Sequence, residues 1–189
     1  MPDGVATTPE DALELLIEGN RRWVKGCMAH PNRSAERRSE LADAQAPFAT
    51  VFSCIDSRVT SEIVFDCGLG DLAVVRTGAH VVDDASVMPS LRFTAELLGT
   101  PLILVLGHQA CGAVTAAVNA LGNGNPNREL EPLIDALRPA YEAVGSGDVE
   151  AMVKAHTQLT VQKLTACLPD RQVTGAYYSL DTGAVSILD

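Results

Sequence analysis

The chain has 189 residues, of which 47% are hydrophobic, and this length gives one compact domain an adequate core. Its 24 acidic residues outnumber its 14 lysines and arginines, so the formal net charge is -10. That balance excludes the concentrated basic surface that nucleic acids and anionic membranes require. Residues 1–16 lack the basic and apolar regions of a signal peptide, and the longest strongly apolar run, 102–106, is too short to span a bilayer. We therefore expect a cytoplasmic protein that acts on a small neutral or weakly anionic substrate, with no nucleic-acid or membrane partner.

The first third of the chain predicts two helices followed by a buried strand. A capping pattern at Thr8 precedes apolar residues at helical spacing, which predicts an amphipathic helix over 9–25. A more polar helix is predicted from 34 to about 45, because Pro47 would stop it. The apolar run 48–55 is typical of a buried strand.

In the rest of the chain, short apolar runs alternate with helical patterns, which indicates a parallel sheet covered by helices. In chain order these elements are a strand at 72–77, a helix at 85–98, a strand at 101–107, helices near 127–144 and 149–166, and a terminal hairpin of 173–180 and 184–189. Gly99 ends the first of these helices, and the turn residues 181–183 define the hairpin.

The whole chain, 1–189, is interpreted as a single α/β domain with an N-terminal helical arm, 1–46, and an α/β core, 47–189. It contains no repeat or convincing linker, and the loop at 122–126 is interpreted as a surface connection. The predicted sheet is mainly parallel, with strand order 2-1-3-4 and an antiparallel terminal edge strand, and it is flanked by helices.

Two short motifs end the first and third core strands: CIDSR at 54–58 and GHQACG at 107–112. In the predicted order these strands are neighbours, and the crevice outside their carboxyl ends is where open α/β sheets bind ligands. Residues more than fifty positions apart should therefore meet there. Gly107 and Gly112 are expected to let the backbone turn tightly at the second motif.

The two motifs supply Cys54, Asp56, His108 and Cys111, a set of thiolate, carboxylate and imidazole groups that suits zinc. Five cysteines, an odd number without the dense spacing of a disulfide scaffold, also favour thiols or metal ligands. Three ligands of the type Cys, His and Cys leave the fourth tetrahedral position open, as a catalytic zinc requires. The sequence therefore predicts a Zn²⁺ site at this edge of the sheet.

Asp56 and Arg58 are the predicted catalytic pair beside the metal. Zinc can lower the pKa of its bound water to about 7, and Asp56 would accept the hydrogen bond of the resulting hydroxide and aim it at an electrophile. Arg58 would clamp the carboxylate and keep it ionised. If Arg58 let go, Asp56 could become a fourth metal ligand in an inactive state, a hypothesis about regulation.

Three segments together resemble the β-class carbonic anhydrases: CIDSRV at 54–59, GDLAVVRTGAH at 70–80 and GHQACGAV at 107–114. Their order and spacing match the family as well as their residue types. The likeness extends from EGNRRWVKG at 18–26 to VTGAYYSLDTG at 173–183, and so covers nearly the whole chain.

The resemblance implies that Cys54, His108 and Cys111 hold zinc and that Asp56 with Arg58 forms the catalytic dyad. The implied reaction is the reversible hydration of carbon dioxide to bicarbonate and a proton. The resemblance also implies a Rossmann-like sheet and a homodimer, often assembled into a tetramer, with the two active sites of the dimer at or near the subunit interface.

The chain departs from the common family pattern at three places. It has RTGAH at 76–80 where the family commonly has RNAGN, and Arg92 with Phe93 where many members carry Glu-Tyr. The segment 66–68 lacks the substrate-binding glutamine of plant-like members. These departures leave the rate and the bicarbonate affinity less defined than the reaction type.

Several further residues have both a functional and a structural interpretation. His80 is either a proton shuttle or a loop histidine, and Arg76 either meets substrate or pairs with an acid such as Asp71. Candidate lining for a small apolar substrate pocket is Ile55, Val59 and Phe65. The residues interpreted as structural, solvated or idle are His30, His156, Cys27, Cys67 and Cys167.

Two alternatives to carbon dioxide hydration stay open at the level of sequence. The same zinc site could hydrolyse carbon disulfide or carbonyl sulfide, an activity that some relatives of the family possess. The chain could instead be a non-catalytic zinc-storing or anion-sensing relative that keeps the fold without turnover.

Overall fold

The computed structural model describes residues 8–83, 85–124, 128–145 and 147–188. Four parts of the predicted elements lie outside these ranges: residues 1–7 of the arm, 125–126 of the surface loop, 127 at the start of a helix, and 189 at the end of the hairpin.

Within the described residues, five strands form one sheet with the spatial order β2-β1-β3-β4-β5. The strands are β1 (Ala49–Cys54), β2 (Leu72–Thr77), β3 (Leu102–His108), β4 (Gln172–Tyr178) and β5 (Val185–Leu188). The first four strands pair in parallel and β5 pairs antiparallel to β4. The predicted order 2-1-3-4 and the antiparallel terminal edge strand are both confirmed.

Helices cover both faces of this sheet. Those of the described residues are α1 (Pro9–Val24), α2 (Ala35–Glu40), α3 (Ser61–Val64), α4 (Val87–Arg92), α5 (Gly112–Asn123), α6 (Glu131–Val144) and α7 (Val149–Cys167). Helices α1 and α7 agree with their predicted bounds to within one residue. None of these helices combines the length and the apolar character needed to cross a membrane.

Three predicted helices have different bounds. The helix predicted over 34–45 ends at Glu40, because α2 buries none of its side chains and gains too little from packing to extend. The helix predicted over 85–98 consists of α4 followed by a wider π-helical turn at Phe93–Leu97. Helix α6 follows a 3₁₀ turn, Arg128–Leu130, that occupies the start of its predicted range.

Successive residues of β1 point to opposite faces of the sheet and pack into different core clusters, so both faces of the sheet are buried. Val51 packs with Leu16 of α1, whereas Phe52 packs with Leu91 of α4 and Leu164 of α7. The carboxyl ends of β1 and β3 carry the two motifs of interest.

Helix α1 is also tied to the core by hydrogen bonds of its buried Asn20 side chain. Its amide nitrogen donates to Val64 O at 3.1 Å and to Gly183 O at 2.8 Å, and its amide oxygen accepts from Val185 N at 2.9 Å. This one side chain therefore joins α1 to α3 and to the terminal hairpin.

Candidate metal centre

The first motif begins at the last residue of β1. Cys54 ends that strand and is 4% exposed. The chain then turns, and the backbone amide of Val59 donates a hydrogen bond to the carbonyl oxygen of Asp56 at 3.0 Å. Arg76 of the neighbouring strand fixes this turn, since its Nε donates to Cys54 O at 2.8 Å and its Nη2 donates to Asp56 O at 2.6 Å. Arg76 is thus a backbone clamp of the first motif.

The second motif begins at the last residue of β3. His108 ends that strand, and Cys111 is the residue immediately before α5, so the two are separated by a tight connection. Ala110 makes the connection possible by adopting a left-handed conformation, with φ of 51°. Gly107 is not at the turn; its missing Cβ makes room for α7, because a Cβ there would lie 2.4 Å from Thr157 Oγ1.

The sulfur atoms of Cys54 and Cys111 lie 3.9 Å apart, and the ligand atoms of these cysteines and His108 all lie within 4.8 Å of one another. Tetrahedral zinc with Zn–S bonds of about 2.3 Å would place two sulfurs about 3.8 Å apart. His108 Nδ1 donates to Gln109 O at 2.9 Å, which leaves the Nε2 lone pair free. Nε2 is buried and has no hydrogen-bond partner among the residues that the structure describes, so a metal ion would complete it, and these three groups fit zinc.

The thiols of Cys54 and Cys111 share a hydrogen bond. The hydrogen bond from Cys111 lowers the pKa of Cys54 well below its ordinary value. The same interaction, together with burial, raises the pKa of Cys111. The pair therefore loses one proton readily and retains the other, which a divalent cation can displace.

Asp56 and Arg58 form a bidentate ion pair next to the three ligand atoms. Arg58 Nε donates to Asp56 Oδ1 at 2.9 Å and Nη2 donates to Oδ2 at 2.7 Å. These hydrogen bonds lower the pKa of Asp56 to about 2. Oδ2 lies 4.0 Å from His108 Nε2, so the ionised carboxylate stands at the edge of the ligand group.

His80 lies inside the protein rather than on an exposed loop. It is 2% exposed, its ring stacks on that of His156 at 4.7 Å, and its Nε2 is 3.2 Å from Thr157 Oγ1. Burial holds the pKa of His80 well below its ordinary value. A proton shuttle must exchange with water near neutral pH, so the burial of His80 favours the structural interpretation of this residue over the shuttle.

Arg76 and the expected pocket lining also differ from the sequence interpretation. Arg76 binds two carbonyls, whereas Asp71 accepts from Asn32 Nδ2 and Gly68 N, so the two side chains do not pair. Val59 and Phe65 are fully buried in the cluster beneath α1, and Ile55 is 65% exposed. Of the three, only Ile55 presents its side chain to solvent beside the site.

The role of Gln109 is not apparent from the sequence. Its side-chain amide donates to Asp181 Oδ2 at 2.6 Å, and its amide oxygen accepts from Asp181 N at 3.1 Å and from Ser179 Oγ at 3.2 Å. Because its carbonyl also binds His108, Gln109 connects the histidine to the turn of the terminal hairpin. The sequence indicates a role for Gln109 only through its position between His108 and Cys111.

The fold and this group of three donors define an α/β protein with a metal-binding geometry at the carboxyl ends of β1 and β3. The family model described as carbonic anhydrase matches residues 49–185. The chain belongs to the carbonic anhydrase family, and its structural neighbours place it in the β class.

Curated relatives cover most of the chain. It is 38% identical over 197 aligned residues to carbonic anhydrase 2 of Mycobacterium tuberculosis, covering 97% of this chain and 94% of that protein. It is 41% identical over 162 residues to a carbonic anhydrase of Mycolicibacterium smegmatis, covering 84% of this chain and 78% of that protein.

Solved structures agree with this placement. The β-carbonic anhydrase of Coccomyxa in complex with acetazolamide matches with a TM-score of 0.71 and 26% identity, covering 93% of this chain and 86% of that one. A β-carbonic anhydrase of Aspergillus fumigatus matches with a TM-score of 0.70 and 26% identity, covering 94% and 90%.

Proposed function

We propose that this carbonic anhydrase binds Zn²⁺ through Cys54 Sγ, His108 Nε2 and Cys111 Sγ and uses Asp56 with Arg58 as its catalytic dyad in the hydration of carbon dioxide to bicarbonate. The observation that carries the proposal is the buried His108 Nε2, which finds no hydrogen-bond partner in the described part of the chain and lies beside two thiols 3.9 Å apart. A buried imidazole nitrogen without a partner is costly unless a ligand completes it.

When bound, zinc is a Lewis acid that lowers the pKa of a water molecule and so makes a nucleophile available near neutral pH. The side chains of Asp56 and Arg58 would hold the reacting groups in place. Asp56 is held ionised and can only accept hydrogen bonds, so it selects and orients a protonated oxygen beside the ligand group. Arg58 binds both oxygens of the carboxylate and would thereby keep it from becoming a metal ligand.

The connection between the two motifs supports a catalytic rather than a structural metal. Arg58 Nη2 also donates to Ala110 O at 3.2 Å, so the dyad is attached to the turn that carries Cys111. Asp56 is 14% exposed and Arg58 is 52% exposed, whereas the three ligands are buried. The ion pair therefore lies on the solvent side of the ligands, where a small substrate enters.

We also propose that the protein is a cytoplasmic homodimer that can assemble further into a tetramer. Each subunit would be a single domain over 1–189, with a helical arm, 1–46, and an α/β core, 47–189. Support comes from β2, which is an outer strand of the sheet, and from the exposed side chains of Ile55 and Phe93. A β-carbonic anhydrase of Sordaria macrospora shares this fold at 20% identity, and that protein is described as tetrameric. Sedimentation equilibrium of the zinc-loaded protein tests the assembly, and a monomer at all concentrations would contradict it.

Stopped-flow carbon dioxide hydration by the zinc-loaded protein tests the reaction. We expect Asp56→Ala to keep the metal and lose most turnover, and Cys111→Ala to lose both. Cys167→Ala, which removes an exposed thiol, is the matched control and should behave as wild type. Equal activity in all four proteins would reject the site assignment, and parallel assays with carbonyl sulfide and carbon disulfide decide between the substrates.

A further inference from the structure

The backbone that follows β2 has an unusual conformation beside the candidate metal centre. Ala79 has φ of 49° and ψ of 33°, and His80 has φ of 46°, so two successive non-glycine residues adopt the left-handed conformation. Such residues are strained and persist only where surrounding contacts hold them. Ala79 is 1% exposed, so these contacts lie inside the protein.

Ala79 makes one hydrogen bond through its amide and one through its carbonyl. Its amide donates to Cys54 Sγ, with the nitrogen and sulfur 3.3 Å apart, and its carbonyl oxygen lies 3.0 Å from His156 Nε2. A carbonyl oxygen only accepts hydrogen bonds. The neutral His156 ring therefore carries its N–H on Nε2 and donates a hydrogen bond to Ala79 O. His156 on α7 is therefore connected to the metal-binding thiol of β1 through a single residue.

The neighbouring groups fix the His156 ring. Thr157 Oγ1 donates to Val153 O at 2.9 Å, so His80 Nε2 must donate to Thr157 Oγ1 at 3.2 Å. His80 then stacks on His156, with their ring planes 12° apart. Burial also lowers the pKa of His156 to about 4, which keeps the ring neutral around neutral pH.

A hydrogen bond to a metal-bound thiolate matters for the chemistry of the site. Two thiolates donate much charge to zinc and oppose the ionisation of bound water. An N–H group directed at Cys54 Sγ withdraws part of that charge and fixes the sulfur in place. The Ala79 amide can do so only while its strained conformation is maintained.

We propose that His156 is a positioning residue for the metal centre: by binding the Ala79 carbonyl, it holds the strained peptide so that the Ala79 amide donates to Cys54 Sγ. This inference rests on the metal site proposed above. His156 does not touch the metal or the substrate and acts through Ala79.

The test uses the protein loaded with ¹¹³Cd²⁺ and measures scalar coupling between cadmium and the Ala79 amide proton across the hydrogen bond to Cys54 Sγ. We expect the coupling in wild type, its loss in His156→Phe, and its retention in His156→Gln, whose amide also donates. Zinc affinity should fall about 10- to 100-fold in His156→Phe. Thr160→Val, a substitution of another buried residue on α7, is the control and should change neither quantity.

A double variant separates positioning from folding. Glycine adopts the left-handed conformation without strain, so Ala79→Gly combined with His156→Phe should restore the cadmium coupling and most of the zinc affinity. Failure of His156→Phe and of this double variant to fold would show a role in folding alone and overturn the proposal. Wild-type coupling and affinity in a folded His156→Phe would overturn it as well.

The same experiment distinguishes this inference from the proposed function. A wild-type protein that binds neither zinc nor cadmium contradicts the metal site itself. A protein that binds the metal at Cys54 but shows no coupling to the Ala79 amide contradicts the role of His156 and leaves the metal site intact.

Discussion

Arg58 binds Asp56 three times, through Nε to Oδ1 at 2.9 Å, through Nη2 to Oδ2 at 2.7 Å and through its own backbone amide to Oδ1 at 2.9 Å. Because Nη2 also donates to Ala110 O, the ion pair spans the two motifs that form the candidate metal centre. The position of the carboxylate therefore depends on a guanidinium group that reaches three acceptors from a single side chain.

Arg58→Lys is expected to keep the metal and to lower kcat about 10-fold or more, because an ammonium group cannot bind both carboxylate oxygens in a fork. Stopped-flow hydration together with measured zinc content checks this. Arg171→Lys, which changes an arginine before the amino end of β4, at the opposite edge of the sheet from the site, is the matched control. Wild-type turnover in Arg58→Lys would mean that charge alone suffices.

Gly107→Ala is expected to lower the free energy of unfolding by about 1 to 3 kcal/mol, because overpacking forces buried groups apart. The added Cβ would lie 2.4 Å from Thr157 Oγ1 and 2.9 Å from Val153 Cγ1, both on α7. Gly112→Ala, at the start of α5, is the matched control, since a Cβ there would have no described residue within 4 Å. Urea denaturation of both variants checks the difference, and equal stabilities would contradict the packing of α7 on Gly107.

Much of the fold was predictable because its signals are local. The continuous apolar runs defined β1, β2 and β3, and the turn at 181–183 defined the terminal hairpin. The extent of helix α5 escaped prediction because the helix is rich in small residues and buries only Val114 and Ala117, which gives a weak amphipathic pattern. Gly124, with φ of 67°, is the helix-ending signal that would have located it.

The candidate site was predictable where strand order alone brings residues together. Cys54, His108 and Cys111 meet because β1 and β3 are neighbours, which the alternation of elements already indicates. The partners of Arg76 and His80 depend on strand register and on the packing of α7, which a single sequence does not encode locally. Side-chain contacts between distant elements are therefore what the sequence interpretation misses.

Gln109→Ala is expected to weaken zinc binding by up to about 10-fold, because the carbonyl that orients His108 loses its anchor to the terminal hairpin. The side chain makes three hydrogen bonds to Ser179 and Asp181, and all three are removed. Zinc competition with a chromophoric chelator measures the effect. Gln172→Ala, at the exposed start of β4, is the matched control and should bind zinc as wild type does. Unchanged zinc affinity in Gln109→Ala would show that these hydrogen bonds hold the terminal hairpin in place but do not orient His108.

Buried His156 should make the protein less stable as the pH falls. Burial depresses its pKa from 6.5 to about 4, so between these values the unfolded chain binds more protons than the folded protein. The free energy of unfolding then rises with pH, and its contribution from His156 falls as the pH drops through this window. Between pH 7 and pH 5 this amounts to about 2 kcal/mol for a depression of this size.

The comparison of wild type with His156→Gln isolates this contribution, because glutamine does not titrate while other groups stay in place. We expect the difference in unfolding free energy between pH 7 and pH 5 to be smaller in the variant by about 2 kcal/mol. Urea denaturation of metal-free protein at both pH values measures it without the pH dependence of metal binding. The pKa of His80 is also lowered by burial, so the variant should retain part of the acid sensitivity. Parallel pH dependence of the two proteins would show that His156 is already protonated, or exposed, in the folded state.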